Sequence, residues 1–230
     1  MIEKTKFWHL KNISLFEGLP DATMAAMDRM SSMSDVKAHQ PIYFPDERSS
    51  AIFFLKQGHV KISRIHADGR EVILEVIGPG EVFGELSLSD NEPPASEMAQ
   101  ALDDVLICTV RKEDFEMLLA KNPQLNLQVT KRIGLRLRKF EERVTDLLFK
   151  DTRARLATFL VRYAEEFGRM KAGTVTVPMH LSHQEIALLT GAARQTITTT
   201  LNELRDEGLI DFTRKELVVN RMEKLTAIAQ

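Results

Sequence analysis

Arg194 and Gln195 stand side by side at the head of a stretch in which Ile197, Leu201 and Leu204 recur at i, i+4 and i+7. That spacing makes one face of a helix apolar and leaves Arg194, Gln195, Thr198 and Thr199 on the other face, early in the helix. Arginine can bond guanine N7 and O6 through two N–H groups, and glutamine can pair with adenine in the same two-point way. Threonine suits phosphate oxygens or a thymine methyl. With Thr196 in the same turn, these residue types offer recognition of base edges in a DNA major groove.

A reading helix needs a partner that holds it at an angle. Ser182 and Glu185 form a Ser-x-x-Glu capping box that opens a helix carrying Ile186, Leu188 and Leu189. Gly191 then permits a sharp turn before the second helix begins near Ala193. Capping box, glycine turn and amphipathic helix also describe an ordinary helical hairpin. The following residues separate the two readings: Leu209 to Phe212 and Glu216 to Val219 read as a β-hairpin whose tip is Thr213-Arg214-Lys215. Such a wing sets two cations, Arg214 and Lys215, where a phosphate backbone would run.

Upstream, Asp151 to Phe167 has Leu156, Phe159, Leu160, Tyr163 and Phe167 on one side and stops at Gly168. The stretch after Asn122-Pro123 is longer, with Asn at a helix N-cap, Pro in the first turn, and Gly134 as its one weak position. Ile133, Leu137, Phe140, Val144 and Leu147 follow at spacings of 4, 3, 4 and 3, a two-heptad apolar seam flanked by charges. Such a seam wants a second helix, and a second copy of the chain is the reading preferred here over packing on its own domain. From Pro123 to Leu148 the helix would span about 39 Å at ~1.5 Å per residue, long enough to carry a signal.

From Val36 to Val110 the texture is short runs rich in Ile, Val and Phe, broken by turn signals at Pro45-Asp46, Gln57-Gly58, Asp68-Gly69 and Gly78-Pro79-Gly80. Turns about every ten residues, with partial alternation (Val60, Ile62, Arg64; Val72, Leu74, Val76), favour a sandwich or jelly roll. Before it, Met24, Met27 and Met30 recur at helical spacing and read as packing residues. Arg111 to Asn122 returns to helical spacing.

The chain has 230 residues, 43% of them hydrophobic, which allows two domains with ordinary cores. Its formal net charge of −2 gives no hint of nucleic acid. Residues 150–230, however, hold 12 Lys and Arg against 10 Asp and Glu, so the remainder holds 19 against 23. The single cysteine, Cys108, lies in an apolar run and excludes a disulfide framework or an iron-sulfur cluster. No apolar leader or membrane span is visible, so a cytoplasmic location without membrane contact is expected. Paired carboxylates, a nucleophile with its base, a Walker loop and a metal-ligand cluster are all missing from the sequence pattern, which argues against an enzyme.

Over nearly its full length the chain resembles the cyclic-AMP receptor protein and fumarate-nitrate regulator (CRP/FNR) superfamily. The resemblance rests on FFLKQGHVKISR, ADGREVIL, GPGEVFGELSL, RVTDLLFKDTRARLATFL and LSHQEIALLTGAARQTITTTLNELRDEGLI, in that order. It implies an α+β bacterial transcription regulator in three segments. Residues 1–122 would be a double-stranded β-helix (jelly roll, cyclic-nucleotide-binding-like) sensor with flanking helices. Residues 123–149 would be a long dimerisation helix and hinge, and 150–230 a winged helix-turn-helix. A homodimer on a palindromic operator and contact with RNA polymerase follow from the same resemblance.

Residue by residue, the family's leading base-contacting arginine falls on Arg194, the usual glutamate after it is Gln195, and a later arginine becomes Thr199. The phosphate-contacting start of the first helix matches at Ser182 and Gln184, with His183 replacing a common arginine. The effector pocket departs further. Gly84, Glu85, Leu86, Ser87 and Ser96 fall in the pocket loop, but Ala95 stands where cyclic-AMP-binding members carry the arginine that grips the cyclic phosphate. Phe140 and Glu141 replace the Thr-Ser pair that meets adenine. These changes argue against cyclic AMP and leave an unknown small molecule, a haem-like group or no effector. A second function class, a cyclic-nucleotide-binding module acting through protein contacts, would need the pocket that Ala95 weakens.

Overall fold

The computed structural model describes residues 13–44, 51–84, 97–171 and 173–230. Contacts divide the chain into two compact units, Met1–Leu137 and Arg138–Gln230.

Among the described residues of the first unit a 3₁₀ turn, Ser14–Phe16, and helix α1 (Asp21–Met30) precede eight strands. These are β1 (Ser31–Val36), β2 (Pro41–Tyr43), β3 (Ala51–Gln57), β4 (Val60–Ile65), β5 (Glu71–Ile77), β6 (Val82–Gly84), β7 (Glu97–Ala101) and β8 (Val105–Arg111). Helix α2 (Lys112–Lys121) and the start of α3 (Pro123–Phe149) follow. The strands form two antiparallel four-stranded sheets, ordered β1-β8-β3-β6 and β2-β7-β4-β5. Sequential strands are split between sheets, as in the expected jelly roll.

Strand β3 shows why its sequence is continuously apolar. Phe53 and Leu55 face a core shared with Val60, Ile62, Ile77, Phe83, Ala99 and Ile107. Ile52 and Phe54 face the opposite way, into a second core with Met24, Met27, Phe115, Leu118, Leu125 and Val129. A strand covered on both faces loses the alternation that marks a half-exposed one. Aromatic rings tie both layers: Phe53 and Phe83 lie 5.1 Å apart, as do Phe16 and Phe54. Each fully buried side chain of this size contributes about 1.5–3 kcal/mol against exposure.

Met24 and Met27 are core residues, whereas Met30 keeps 37% of its surface exposed. Cys108 is fully buried in the second core. The expected alternation does not hold in β4, where Val60, Lys61, Ile62 and Ser63 are all buried and Arg64 and Ile65 are exposed, and β5 departs from it too. In β5 Ile73 and Ile77, four residues apart and so on one face of a strand, are inside and Val72 is out, and the ladder to β4 shifts register at Ile62/Ser63. At the entry to α3 the Asn122 carbonyl accepts from Asn126 N–H (3.1 Å), as an N-cap residue does. Its side chain joins neighbours instead: Nδ2 donates to Leu118 O (2.7 Å) and Oδ1 accepts from Thr23 Oγ1 (2.8 Å).

The second unit contains the end of α3, helix α4 (Thr152–Phe167), strands β9 (Arg169–Lys171) and β10 (Thr174–Pro178), helices α5 (His183–Thr190) and α6 (Arg194–Asp206), strands β11 (Ile210–Phe212) and β12 (Glu216–Val219), and helix α7 (Met222–Ile228). The strands make one sheet, ordered β11-β12-β10-β9. Asp151 caps α4 by accepting from Ala154 N–H at 2.8 Å. Leu156, Leu160 and Tyr163 of α4 are buried, while Phe159 and Phe167 are half-buried. The last turns of α3 are fastened inside this unit: Arg143 donates to Leu188 O (3.4 Å), Arg162 pairs with Asp146 (2.9 Å), and Lys150 bonds Asp146 (2.9 Å) and Thr158 (3.0 Å). Among the described residues no helix is long and apolar enough to cross a membrane.

Candidate nucleic-acid interface

The site is built from α5, α6 and the β11–β12 hairpin. The capping box at the start of α5 is present in full: Ser182 Oγ accepts from Glu185 N–H (3.3 Å) and Glu185 Oε2 accepts from Ser182 N–H (2.9 Å). At the other end Gly191 adopts φ 63°, ψ 40° and donates to Ala187 O. A left-handed residue there stops α5 and turns the chain into α6, which glycine does without steric penalty.

Helix α6 buries Ile197, Thr200, Leu201 and Leu204. Arg194, Gln195, Thr196 and Thr199 are exposed, so the polar residues of the first two turns share an open face. The N-cap of α6 is Ala193, which makes no side-chain capping bond. The first backbone N–H groups of α6 are thus available to solvent or to an anion.

Thr198 differs from its neighbours. It is half-buried, donates its hydroxyl proton to Arg194 O (3.0 Å), and lies 2.9 Å from His183 Nδ1. His183 in turn meets the ring of Phe212 edge-on, with centroids 5.8 Å apart. Burial, with the Arg194 cation next in importance, lowers the His183 imidazole below its ordinary value of 6.5. Ser182 and Gln184 are exposed beside it.

In the hairpin, Phe212 stands opposite Leu217 of β12, and its backbone N–H donates to Asp211 Oδ1 (2.8 Å). Thr213 Oγ1 accepts from Lys215 N–H (3.2 Å) and Glu216 N–H (3.1 Å), which shapes the turn. Arg214 and Lys215 are exposed at that turn. The Arg205 guanidinium lies 5.2 Å from the Phe212 ring centroid, bracing the hairpin from α6. Three features of this unit carried no usable sequence signal: β9 and α7, only three and seven residues long, and the contact of His183 with Thr198 and Phe212, which are distant in sequence.

The other candidate residues fall as follows. Gly84 ends β6 with φ +100°, and a Cβ there would lie 2.6 Å from Ala51 O and 2.8 Å from Phe53 Cδ2. A close approach of two strands therefore demands this glycine, whatever else the loop does. Glu85, Leu86, Ser87, Ala95 and Ser96 lie outside the described residues. Phe140 and Glu141 are exposed on α3. The seam residues Ile133, Leu137, Phe140, Val144 and Leu147 all keep 40–57% of their surface exposed. Leu148 and Phe149, not counted in the seam, are more exposed still. Near Glu141 a shallow cleft of about 310 Å³ is lined by Arg138, Glu142, Thr145, Asp146 and Arg162. Its charges are paired with one another, Arg162 with Asp146 (2.9 Å) and Glu142 (3.4 Å) and Arg138 with Glu142 (3.6 Å), as in a structural network.

Comparison with known proteins agrees with this geometry. Residues 34–122 match the cyclic nucleotide-binding domain, and residues 154–228 match the Crp-like helix-turn-helix domain. The chain is 28% identical, over 96% of its length and 98% of the relative's, to the CRP-like cAMP-activated global transcriptional regulator of Mycobacterium tuberculosis. It is 30% identical to the global nitrogen regulator of a Nostoc species, covering 80% of this chain and 82% of that one. Among solved structures it shares the fold of a CooA mutant from Carboxydothermus hydrogenoformans, with a TM-score of 0.76 at 22% identity over 100% of this chain and 98% of that one.

Proposed function

We propose, for a chain that belongs to the CRP/FNR superfamily of bacterial transcription regulators, a homodimer in which two α6 helices read a palindromic operator from adjacent major grooves. Members of this family are DNA-binding regulators and not enzymes. The observation that carries the reading is the open face of α6. Arg194, Gln195, Thr196 and Thr199 are exposed at its N-terminal end, with Arg214 and Lys215 exposed on the wing. Arg194 pairs with a guanine, and Gln195, where the family commonly has glutamate, prefers an adenine over a cytosine. Ser182, His183, Gln184 and the wing cations meet phosphates, which fix register and give the affinity its salt dependence. Thr198, already engaged by His183 and the Arg194 carbonyl, supports this face from behind.

The exposed seam supports dimerisation. Five large apolar residues in a heptad pattern on a charged helix are unfavourable in water and become favourable when a second helix covers them. In the dimer the half-sites lie about 34 Å apart, one turn of DNA. We keep the functional partition into sensor (1–122), dimerisation helix and hinge (123–149) and reader (150–230). The sensor biases the two readers through an effector other than cyclic AMP. The M. tuberculosis relative is cAMP-activated, but here Ala95 removes the guanidinium a cyclic phosphate needs, and Phe140 with Glu141 replace the adenine-facing pair. The dimer works in the cytoplasm and contacts RNA polymerase at its promoters.

Phe140→Asp tests the arrangement. It places a charge in the middle of the seam, so sedimentation is expected to show a monomer and gel shift a loss of operator binding. An intact dimer with unchanged binding would overturn the assignment of the seam.

A further inference from the structure

His183 occupies an unusual position for a phosphate contact. It is the first residue of α5, yet its Nδ1 lies 2.9 Å from Thr198 Oγ1 on α6 and its ring rests edge-on against Phe212 of the wing, 5.8 Å between centroids. Thr198 has one hydroxyl proton, and that proton is given to Arg194 O at 3.0 Å. The threonine oxygen can then only accept, so Nδ1 must carry the ring's proton and donate it. In the neutral ring Nε2 is consequently the one site left to titrate. One side chain thus joins all three parts of the reader: the capped helix, the first turn of the reading helix that bears Arg194, and the wing.

We propose that His183 is a positioning residue that holds the start of α6 through Thr198, and that it takes up a proton when operator phosphates close over the reader, so that operator affinity rises as pH falls. The inference rests on the DNA-reading assignment above. Of the charged groups on the elements packed against the ring, Arg194 of α6 is the one that acts on it; Arg205 of α6 lies across Phe212, the hairpin that bears Phe212 carries Asp211, Arg214, Lys215 and Glu216, and on its own helix the Glu185 carboxylate is already bound by Ser182. In the free protein burial, with the Arg194 cation next in importance, lowers the His183 pKa and so disfavours its charged form. Bringing a phosphate to this corner reverses the balance and raises the bound-state value. A group whose pKa is higher in the complex strengthens that complex below its free-state pKa, and the gain is lost as pH rises through the bound-state pKa.

The test is fluorescence anisotropy of full-length protein with a palindromic duplex, selected from random DNA, from pH 5.5 to 8.5 at fixed ionic strength. Wild-type affinity should rise on acidification by about tenfold for each unit separating the bound and free pKa. His183→Asn, whose amide N–H can still donate to Thr198 but does not titrate, should lose the slope while binding more tightly than His183→Ala at pH 8.5. Thr198→Val should weaken binding at every pH. Reading slopes as well as absolute affinities separates proton linkage from partial unfolding. A flat wild-type profile, or an Asn variant that keeps the slope, overturns the proposal; if Arg194→Ala still abolishes binding in that same assay, the operator reading stands without it. A wild-type chain that binds no duplex at any pH overturns both.

Discussion

Lys56 shows how a single residue can work against the fold that contains it. Its Nζ is buried, lies 5.8 Å and 5.7 Å from the ring centroids of Phe16 and Phe54, and has no hydrogen-bond partner among the described residues. Burial lowers its pKa to about 8, partly opposed by Cys108. In the unfolded chain the value is near 10.5, so between about pH 8 and 10.5 the unfolded state binds more protons and stability rises with pH. Lys56→Met, of similar length and without the charge, is therefore expected to raise stability at pH 7 by on the order of 1–2 kcal/mol and to flatten that rise. Denaturant melts at pH 7 and pH 10 check both effects; a destabilised variant would mean that the ring contacts outweigh the burial cost. At this scale the sequence was legible where side chains act alone. Arg194, Gln195 and Thr199 could be placed on an open helical face from the spacing of Ile197, Leu201 and Leu204, whereas Thr198, expected on the same face, is half-buried against His183. It was silent where a side chain's partner is remote. Nothing in the order of residues indicates that His183 binds Thr198, or that Lys56 sits over two rings.

Elements were legible to the extent that local interactions define them. The Ser182–Glu185 capping box and the Gly191 stop bound α5 in the structure as in the sequence, because both act within one turn of backbone. Gly191→Ala tests how far the turn depends on that residue. The new side chain would hold φ near 63°, and its Cβ would lie 2.6 Å from Leu147 Cδ2. Strain of about 1–2 kcal/mol is expected, lowering the thermal midpoint by a few degrees and weakening DNA binding with it. Thermal melts followed by circular dichroism would show it, and an unchanged midpoint would mean that the turn relaxes freely. Strand β5 was misjudged in phase for a different reason. Apolar residues occupy both faces of β5, with Val72, Leu74 and Val76 on one parity and Ile73 and Ile77 on the other, so spacing alone did not choose the inward set, which is Ile73 and Ile77. Strand β9 and helix α7 are too short for a periodic signal, and the sheet or helix they join decides their conformation.

At the scale of the whole molecule, the chain combines a jelly roll, a long helix and a winged reader, and this combination makes it a regulator. The sequence disclosed the order of these parts because each has its own texture: turn-broken β runs, a heptad seam, then a capped helix pair with a hairpin. Its net charge of −2 concealed the reader, which emerged only when residues 150–230 were counted separately. The proposed effector pocket draws on Glu85 and Ala95, which lie outside the described residues, and on Phe140 and Glu141, which depart from the cyclic-AMP pattern. The proposed dimer, resting on the seam, predicts an operator of two inverted half-sites about 34 Å apart, each with a guanine facing Arg194. Selection of duplexes from random DNA by full-length protein, repeated with Arg194→Ala, tests this most directly. The wild-type chain is predicted to enrich a palindrome with that spacing, and Arg194→Ala to lose about 1–3 kcal/mol of discrimination at the guanine. Enrichment of no palindrome, together with an Arg194→Ala protein that selects the same sequences as the wild type, would contradict the account.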